Sequence, residues 1–440
     1  MNSLYLVVGL GKTGHSIAQY LQRKNHHFMV FDTRINPPDL EAFKAEFPNI
    51  PVYLEYFPDE LLTHITDIIT SPGISLDLAL FKKAQEKNIP VYGDIECLAR
   101  EITAPVVAIT GTNGKSTVTT LVGEMAKASG MRVAVAGNIG TPVLDMLKNN
   151  QPYDLWVLEL SSFQLDLTHS LKPEIATILN ISPDHLDRHH SLEAYTQAKQ
   201  RIYQQAKIAL WNRDDEATPP MTATKSSLSF GQGYGDWGLI KKDNLTYLAK
   251  GDQCLIAVDS LLIKGVHNWF NALAACALAD AVHIPMAAIL KILETFPGLP
   301  HRCEWVRELD GVAWINDSKG TNIGAAISAI NGIGGAITGK IVLIAGGQGK
   351  GADFASLQQP VADFVRSVVL IGEDAFKLER SLAKVAATTK VASLEEAVSL
   401  ARTKAQPGDV VLLSPACASL DMFKDFNHRG EVFASSVHGL

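Results

Sequence analysis

The loop Gly111-Thr112-Asn113-Gly114-Lys115-Ser116-Thr117 is the stretch whose residue types and spacing point most directly to chemistry. It follows a short apolar strand, Val106–Ile109, and its glycines let backbone N–H groups turn inward as a cradle for polyphosphate. Lys115 supplies a point charge for the terminal phosphates, and Ser116 a hydroxyl for Mg²⁺. Val118, Leu121, Val122 and Met125 recur at i, i+3, i+4 and i+7, which predicts a helix after the loop, and Gly130 is placed to end it. The phosphates would then lie at a helix N-terminus, where the dipole favours negative charge. Ile109 stands where the general phosphate loop has a glycine. The competing reading is a ligand-free Gly-rich turn, and Lys-Ser-Thr at this spacing disfavours it. The loop predicts a nucleoside triphosphate site.

Other polar residues are expected at the ends of neighbouring strands. Glu159 closes the run Trp156–Leu160, where an acid beside a triphosphate organises Mg²⁺ better than it serves as a surface carboxylate. His185, in the loop Ser182–Asp187, is either a packed structural histidine or a metal ligand. Lys199 falls on an amphipathic helix, and nothing in the residue pattern alone singles it out. Asn316-Asp317-Ser318-Lys319 and Gly346–Lys350 read as anion-facing turns or ordinary ones. The Ser/Cys pair in Ser414–Ser419 has no histidine or acid at a recognisable spacing, so a nucleophile is not expected there.

The elements that must position these groups are α/β throughout. Leu4–Val8, then Gly9-Leu10-Gly11-Lys12-Thr13-Gly14, a helix to about Lys24, and a strand Phe28–Phe31 ending at Asp32 form a dinucleotide-type fingerprint. Taken alone it suggests a nicotinamide-dependent oxidoreductase, but any tight strand–helix turn holding a nucleotide can use those glycines. Ser71-Pro72-Gly73, after Asp67–Thr70, is expected to face the same crevice. In the second block, strands at Arg132–Ala136, Leu155–Leu158 and Ala176–Leu179 each end in polar residues, and a helix Asn271–Ala281 closes the block. Ser226–Lys264 reads as a small antiparallel excursion. Phe296–Pro300 reads as a linker. The third block opens with the hairpin Glu304–Leu309 and Val312–Ile315 around Asp310-Gly311. Strands Ile341–Ala345, Val368–Ile371 and Val410–Ser414 then alternate with helices, one of them starting at a capping box, Ser393 and Glu396.

The fold class expected is three consecutive α/β domains: a Rossmann-like domain over 1–94, a central ATP-binding phosphate-loop domain over 95–298, and a Rossmann-like C-terminal domain over 299–440. At 440 residues the chain is too long for one core. Its net charge of −7 argues against a nucleic-acid partner. The apolar run Leu4–Leu10 is too short for a signal peptide, and Asp280 interrupts the alanine-rich run Ala272–Ala279 well before membrane-spanning length. The 5 cysteines, with no CxxC spacing, suit a reducing cytoplasm.

Seven runs together resemble the Mur ligase family over essentially the whole chain: GDIE (93–96), AITGTNGKSTVTTLVGEMAKA (108–128), GNIG (137–140), VLELSSFQL (157–165), LPHR (299–302), WINDSK (314–319) and LLSPACASLD (412–421). The phosphate loop lacking a glycine at Ile109 is the form that family uses. The resemblance implies a cytoplasmic, monomeric, ATP-dependent ligase of peptidoglycan precursor synthesis. Its small-molecule substrates would be UDP-N-acetylmuramoyl-L-alanine and D-glutamate, with no nucleic acid and no membrane insertion.

It also implies residue roles. Thr13, Asp32, Thr33, Arg34 and Gly73 would hold the uridine diphosphate. Asn138, Ser161, Gln164 and His185 would reach toward the pyrophosphate, the muramoyl-alanine part or the metal. Asn268, Asn271, Arg302 and Asp317 would lie on the adenosine side of ATP. Two Mg²⁺ ions are expected, with Ser116, Glu159, His185 and Lys199 as ligands; Lys199 would be carbamylated. Lys115, Glu159, His185 and Lys199 would carry the chemistry. Thr321, Lys350, Ser419, Leu420 and Phe426 would meet D-glutamate. The other readings weighed are a sister ligase of the same pathway, a folylpolyglutamate synthetase, the oxidoreductase resting on Gly9–Gly14, and a non-enzymatic nucleotide-binding regulator.

Overall fold

Three β-sheets, each formed by a contiguous stretch of chain, organise residues 3–148, 152–263 and 265–440, which this computed structural model describes. Lys264, the last residue of the expected antiparallel excursion, lies outside the described residues.

The first sheet is all parallel, in the order Val52–Leu54, His27–Asp32, Leu4–Val8, Asp67–Thr70, Val91–Tyr92. The order reverses between Leu4–Val8 and Asp67–Thr70. The crevice at their carboxyl ends therefore receives both Gly9–Gly14 and Ser71–Gly73, as a doubly wound sheet requires. The helix Lys12–Arg23 buries Ile17, Ala18 and Leu21 against this sheet.

The middle sheet has nine strands, running from Gln253–Ala257 at one edge to Val133–Gly137 at the other. Val106–Thr110 sits inside it, parallel to Leu155–Glu159 on one side and Ile175–Ile178 on the other. The helix Lys115–Ala128 covers it. Val118, Leu121, Val122 and Met125 are fully buried, each worth about 1.5–3 kcal/mol of removed apolar surface. Gly130 follows with φ +91, as its place after the last turn requires. The Ala-rich helix begins at Val266 and not at Asn271, so Asn268 and Asn271 fall on its first turns.

The excursion differs from its reading in two ways. Its strands extend the middle sheet and do not form a separate one, and Ser226–Gln232 pairs in parallel with both Ile208–Asn212 and Trp237–Lys242. Only Trp237–Lys242, Leu245–Lys250 and Gln253–Ala257 are antiparallel to one another.

The third sheet has the order Glu304–Leu309, Val312–Asn316, Val410–Leu413, Ile341–Gly346, Val365–Ile371, Ala387–Lys390. Asp310 and Gly311 both take positive φ, 54° and 74°, as the two-residue hairpin turn needs. The expected capping box at Ser393 forms only by half. Ser393 accepts from the Glu396 amide, but the Glu396 carboxylate reaches Ala392 N at 3.0 Å, not the cap's own amide. The complete box is at Ser161 and Gln164.

The cores do not follow the sheets one to one. One apolar cluster runs from Val7, Ile17 and Phe43 of the first sheet through Ile95 to Trp156, Ile178 and Tyr203 of the middle one. The third sheet is packed by two clusters drawn from residues after 302. Among the described residues no helix is long and apolar enough to cross a membrane.

Candidate active site

The phosphate loop is built from below by one asparagine. Asn180, at the end of Ile175–Ile178, accepts from Asn113 N through Oδ1 (2.8 Å) and donates through Nδ2 to Asn113 O (3.0 Å). Its own carbonyl takes the Thr112 amide at 2.9 Å. Gly114 turns with φ +84, and a Cβ there would lie 2.3 Å from Asn271 Oδ1, so the loop can pack this closely only with glycine. Lys115 Nζ donates to the Gly111 and Thr112 carbonyls, at 2.8 Å each. From the third domain's side, Arg302 Nη2 donates to Ser116 Oγ at 2.7 Å.

Glu159 is 1% exposed. Its Oε1 accepts from Asn138 Nδ2 at 2.9 Å, while Oε2 is buried with no partner. An orphaned buried carboxylate oxygen beside a phosphate loop and the Ser116 hydroxyl fits a divalent cation, since such an oxygen is otherwise costly. Among the described residues no three His, Cys, Asp or Glu side chains cluster as a self-sufficient metal site. The donor set therefore suits an ion whose remaining ligands are phosphate oxygens and water.

His185 is the left-handed N-cap (φ 52) of the single turn Leu186–His189, and its ring lies edge-on to Phe163. Burial, with Lys350 and Lys115 nearby, lowers its pKa against the pull of Asp184 and Asp187, keeping the imidazole neutral as a ligand must be. Lys199 is 1% exposed, and its Nζ donates to Gly111 O at 2.9 Å and Thr110 Oγ1 at 3.2 Å. Burial first, and then the Lys115 ammonium, push it well below the ordinary lysine range. Its Nζ thus sits directly under the phosphate loop, where burial disfavours the charged form.

A cavity of about 320 Å³ opens above the loop, lined by Asn268, Asn271, Arg302, Asp317 and Lys319 with Asn113 and Gly114. Asn271 Nδ2 donates to Asn268 Oδ1 at 3.2 Å. Asp317 accepts from Ser414 Oγ at 2.7 Å and from Cys303 N at 3.2 Å. Burial pushes it up to about 6 despite those donors and Arg302.

Lys319, read in the sequence only as part of an anion-facing or ordinary turn, lines this cavity with its ammonium 3.7 Å from the centre of the Phe426 ring. Burial, then Arg302, lower it to about 8. The cation is thus present below about pH 8 and lost above it. We expect kcat/KM to fall on the alkaline side with a midpoint near pH 8. Lys319→Arg, whose guanidinium holds its proton beyond about pH 12, should abolish that fall. Identical alkaline limbs in the two proteins would remove Lys319 from the site.

The expected amino-acid residues lie on three loops at the carboxyl ends of neighbouring strands. Backbone bonds between Gln348 and Ala418 (3.0 and 2.8 Å) and from Ala416 N to Gly320 O (2.9 Å) tie those loops together. Ser318 Oγ donates to Phe426 O at 2.8 Å, which fixes Phe426 beside Lys319 and Thr321. Lys350, with φ 50, reaches back to the middle domain, its Nζ 3.8 Å from Asp184 Oδ1. Ser419 is buried, and Leu420 is 67% exposed.

The first-domain residues are not brought to this cavity; they line their own crevice. Asp32 there is fully engaged, accepting from Leu10 N (2.6 Å) and from Arg34 N, Nε and Nη2 (2.9, 2.9 and 2.8 Å). Burial alone would raise its pKa, but these donors hold it below the usual carboxylate range. Thr33, Arg34 and Gly73 are exposed and Thr13 is half-buried. Ser161 and Gln164 cap the helix Ser162–Asp166 and face each other, with Ser161 Oγ 3.1 Å from Gln164 Oε1. Arg188 links the two regions: its guanidinium donates to the Gly73 and Ile74 carbonyls and lies over the Phe163 ring. Motif reading gave no role to Asn180, Asp184 or Arg188, and Lys319 figured only within an anion-facing or ordinary turn. Asn180 and Asp184 follow a strand end, and Arg188 lies on the turn Leu186–His189.

These features define a three-domain nucleotide-binding protein in which a phosphate-loop sheet is faced by a separate closing domain. Family profiles agree in the same order along the chain: "Mur ligase MurD-like, N-terminal domain" over residues 3–93, "Mur ligase middle domain" over 109–279, and "Mur ligase, glutamate ligase domain" over 301–417. A UDP-N-acetylmuramoylalanine–D-glutamate ligase from Legionella pneumophila strain Paris is 68% identical over 445 residues, covering 100% of both chains. One from Pseudomonas aeruginosa is 49% identical over 439 residues, covering 99% of this chain and 98% of its own. Among solved structures, a UDP-N-acetylmuramate–alanine ligase from Thermotoga maritima shares the fold with a TM-score of 0.62 at 18% identity, over 100% of both chains. A pseudomurein peptide ligase type C from Methanothermus fervidus does so at 0.60 and 20% identity, covering 94% of this chain and 96% of its own. The chain belongs to the Mur ligase family of ATP-dependent ligases.

Proposed function

We propose that this protein joins D-glutamate to the terminal carboxylate of UDP-N-acetylmuramoyl-L-alanine at the expense of ATP, as a monomer, in cytoplasmic synthesis of the peptidoglycan precursor. Residues 1–94 bind the uridine nucleotide, 95–298 bind ATP and 299–440 bind the amino acid. A carboxylate is a poor acyl donor, so the γ-phosphoryl group of ATP first passes to it. The amine of D-glutamate then attacks the acyl phosphate, and phosphate leaves through a tetrahedral intermediate.

Lys115 and the inward amides of Gly111–Gly114 hold the transferring phosphoryl group. Asn268, Asn271, Arg302 and Asp317 seat the adenosine side. Thr13, Asp32, Thr33, Arg34 and Gly73 seat the uridine diphosphate, and Asn138, Ser161 and Gln164 the sugar end. Thr321, Lys350, Ser419, Leu420 and Phe426 receive D-glutamate. Mg²⁺, when bound, would neutralise charge on the phosphate oxygens; Ser116 and Glu159 would hold one ion, and His185 and Lys199 a second. Burial that disfavours the Lys199 ammonium favours addition of its amine to carbon dioxide with loss of a proton, and the resulting carbamate would supply the oxygen ligand that the lysine itself lacks.

The observation that carries this reading is the facing of the phosphate loop and the third domain's loops across one cavity, bridged by Arg302 on Ser116. An oxidoreductase reading rests on Gly9–Gly14 alone and leaves Lys115 and the phosphate loop without a role. The deciding assay is phosphate release from ATP with UDP-N-acetylmuramoyl-L-alanine and, in turn, D-glutamate, L-glutamate, glycine and meso-diaminopimelate. Release with D-glutamate alone supports the proposal. Release with another amino acid moves the chain to a sister step, and none at all removes the ligase reading.

A further inference from the structure

One side chain crosses from the third domain to the phosphate loop without any part in the chemistry above. Asn322 is the N-cap of the helix Ile323–Gly334, its Oδ1 accepting from the Ala325 amide at 2.9 Å. Its Nδ2 points the other way and donates to Asn113 Oδ1 at 3.3 Å and Asp184 Oδ2 at 3.2 Å. Asn113 belongs to the phosphate loop and is clamped by Asn180. Asp184 precedes His185 and lies 3.8 Å from the Lys350 ammonium. Asn322 itself follows Thr321. The approach of the helix is close. A Cβ on Gly324 would meet Ser182 Oγ at 2.9 Å, and that hydroxyl is buried without a hydrogen-bond partner among the described residues.

We propose that Asn322 is a positioning residue that couples the seating of the third domain on the phosphate loop to the assembly of the amino-acid subsite. A carboxamide has an acceptor end and a donor end. Here the acceptor end stabilises its own helix, and the donor end is satisfied only when the two domains meet. Swinging the third domain away costs the two Nδ2 bonds and leaves the cap intact. The meeting is also what brings Lys350 up to Asp184 and His185. The inference rests on the placement of D-glutamate at Thr321 and Lys350 given above.

The cap and the clasp can be separated. Asn322→Asp keeps a first-rank N-cap but sets a carboxylate against Asp184 Oδ2 and Asn113 Oδ1. We expect the full-length variant to melt with the wild type, while KM for D-glutamate rises about tenfold and kcat falls about tenfold, the scale of losing a hydrogen bond to a charged group. KM for ATP should move less than about threefold on the same scale. Small-angle scattering with a non-hydrolysable ATP analogue and the UDP-sugar should show compaction in the wild type and less in the variant. Wild-type kinetics and compaction in Asn322→Asp, with Asn322→Ala less stable, would reduce Asn322 to a cap and overturn the proposal. If Asn322→Asp fails to fold, Asn322→Ser caps without the reach and should show the same kinetic loss; wild-type behaviour there also overturns it. Failure of the wild type itself to use D-glutamate would instead count against the subsite placement, and the scattering comparison would still decide the clasp.

Discussion

Replacing Lys115 by alanine is expected to lower kcat at least about a thousandfold while leaving the fold standing, because electrostatic stabilisation of a transferring phosphoryl group is the largest single contribution at such a site. The stability cost should be small. Lys115 is half-buried and bonds only to two loop carbonyls, and Gly111 O keeps a second donor in Lys199 Nζ. The loss at the active site has two parts. The point charge facing the phosphates goes, and so does the ammonium that, after burial, does most to lower the Lys199 pKa. Lys199 in the variant should therefore hold a proton to higher pH and take up carbon dioxide less readily. Single-turnover phosphate release paired with a melting curve checks both points. Turnover within tenfold of wild type would take Lys115 out of the phosphate chemistry.

Glu159→Gln should separate function from stability. The side chains are isosteric, and Asn138 Nδ2 keeps its acceptor, so the strand end need not move. We expect kcat to fall about a hundredfold and the Mg²⁺ concentration for half-activation to rise, since a neutral amide is a poor ligand for a hard cation. The protein should not become less stable by more than about 1 kcal/mol, or roughly 2–4 °C. The native carboxylate is buried with one oxygen unpartnered, so neutralising it relieves a cost that offsets the lost attraction to Lys115. Metal titration of turnover and a thermal scan on the same samples decide the matter. A collapse of both together would make Glu159 a structural residue.

What was legible in the sequence was whatever is local. The phosphate loop, the helix period from Val118 to Met125 and the Asp310-Gly311 turn all express contacts within a few residues, and the strands were legible one at a time from their apolar runs and polar ends. What was not legible depends on partners far along the chain. Ser226–Gln232 and Trp237–Lys242 look like a hairpin, yet they run parallel. Arg213, from the preceding strand's end, fills the connection and bonds the carbonyls of Gln232, Gly233 and Trp237. The Ser393 box was misjudged in detail because a glutamate at the third position can choose between two adjacent amides. In the site, the glycines and Lys115 have a spacing that motifs preserve. Lys319 owes its role to Phe426 and Arg302, and Asn180 owes its role to lying under Asn113. No period or spacing encodes such meetings.

The apolar cluster that runs without a break from the first sheet into the middle one has a mechanical meaning. Two of the three lobes share their interior, and Ser16 to Asp145 (3.0 Å), Arg23 to the Leu144 carbonyl (2.8 Å) and Lys24 to Glu101 (2.7 Å) pin their rims. The third lobe is filled only by its own residues and hangs from the short stretch after Thr295. The molecule is therefore built as two joined lobes and a third with its own separate core. On the proposed function, the sugar nucleotide and the phosphates of ATP would sit in the joined part, and only the lobe proposed to bring the incoming amine would have to travel. Heat should separate it along the same line, into two cooperative units where its three sheets would suggest three.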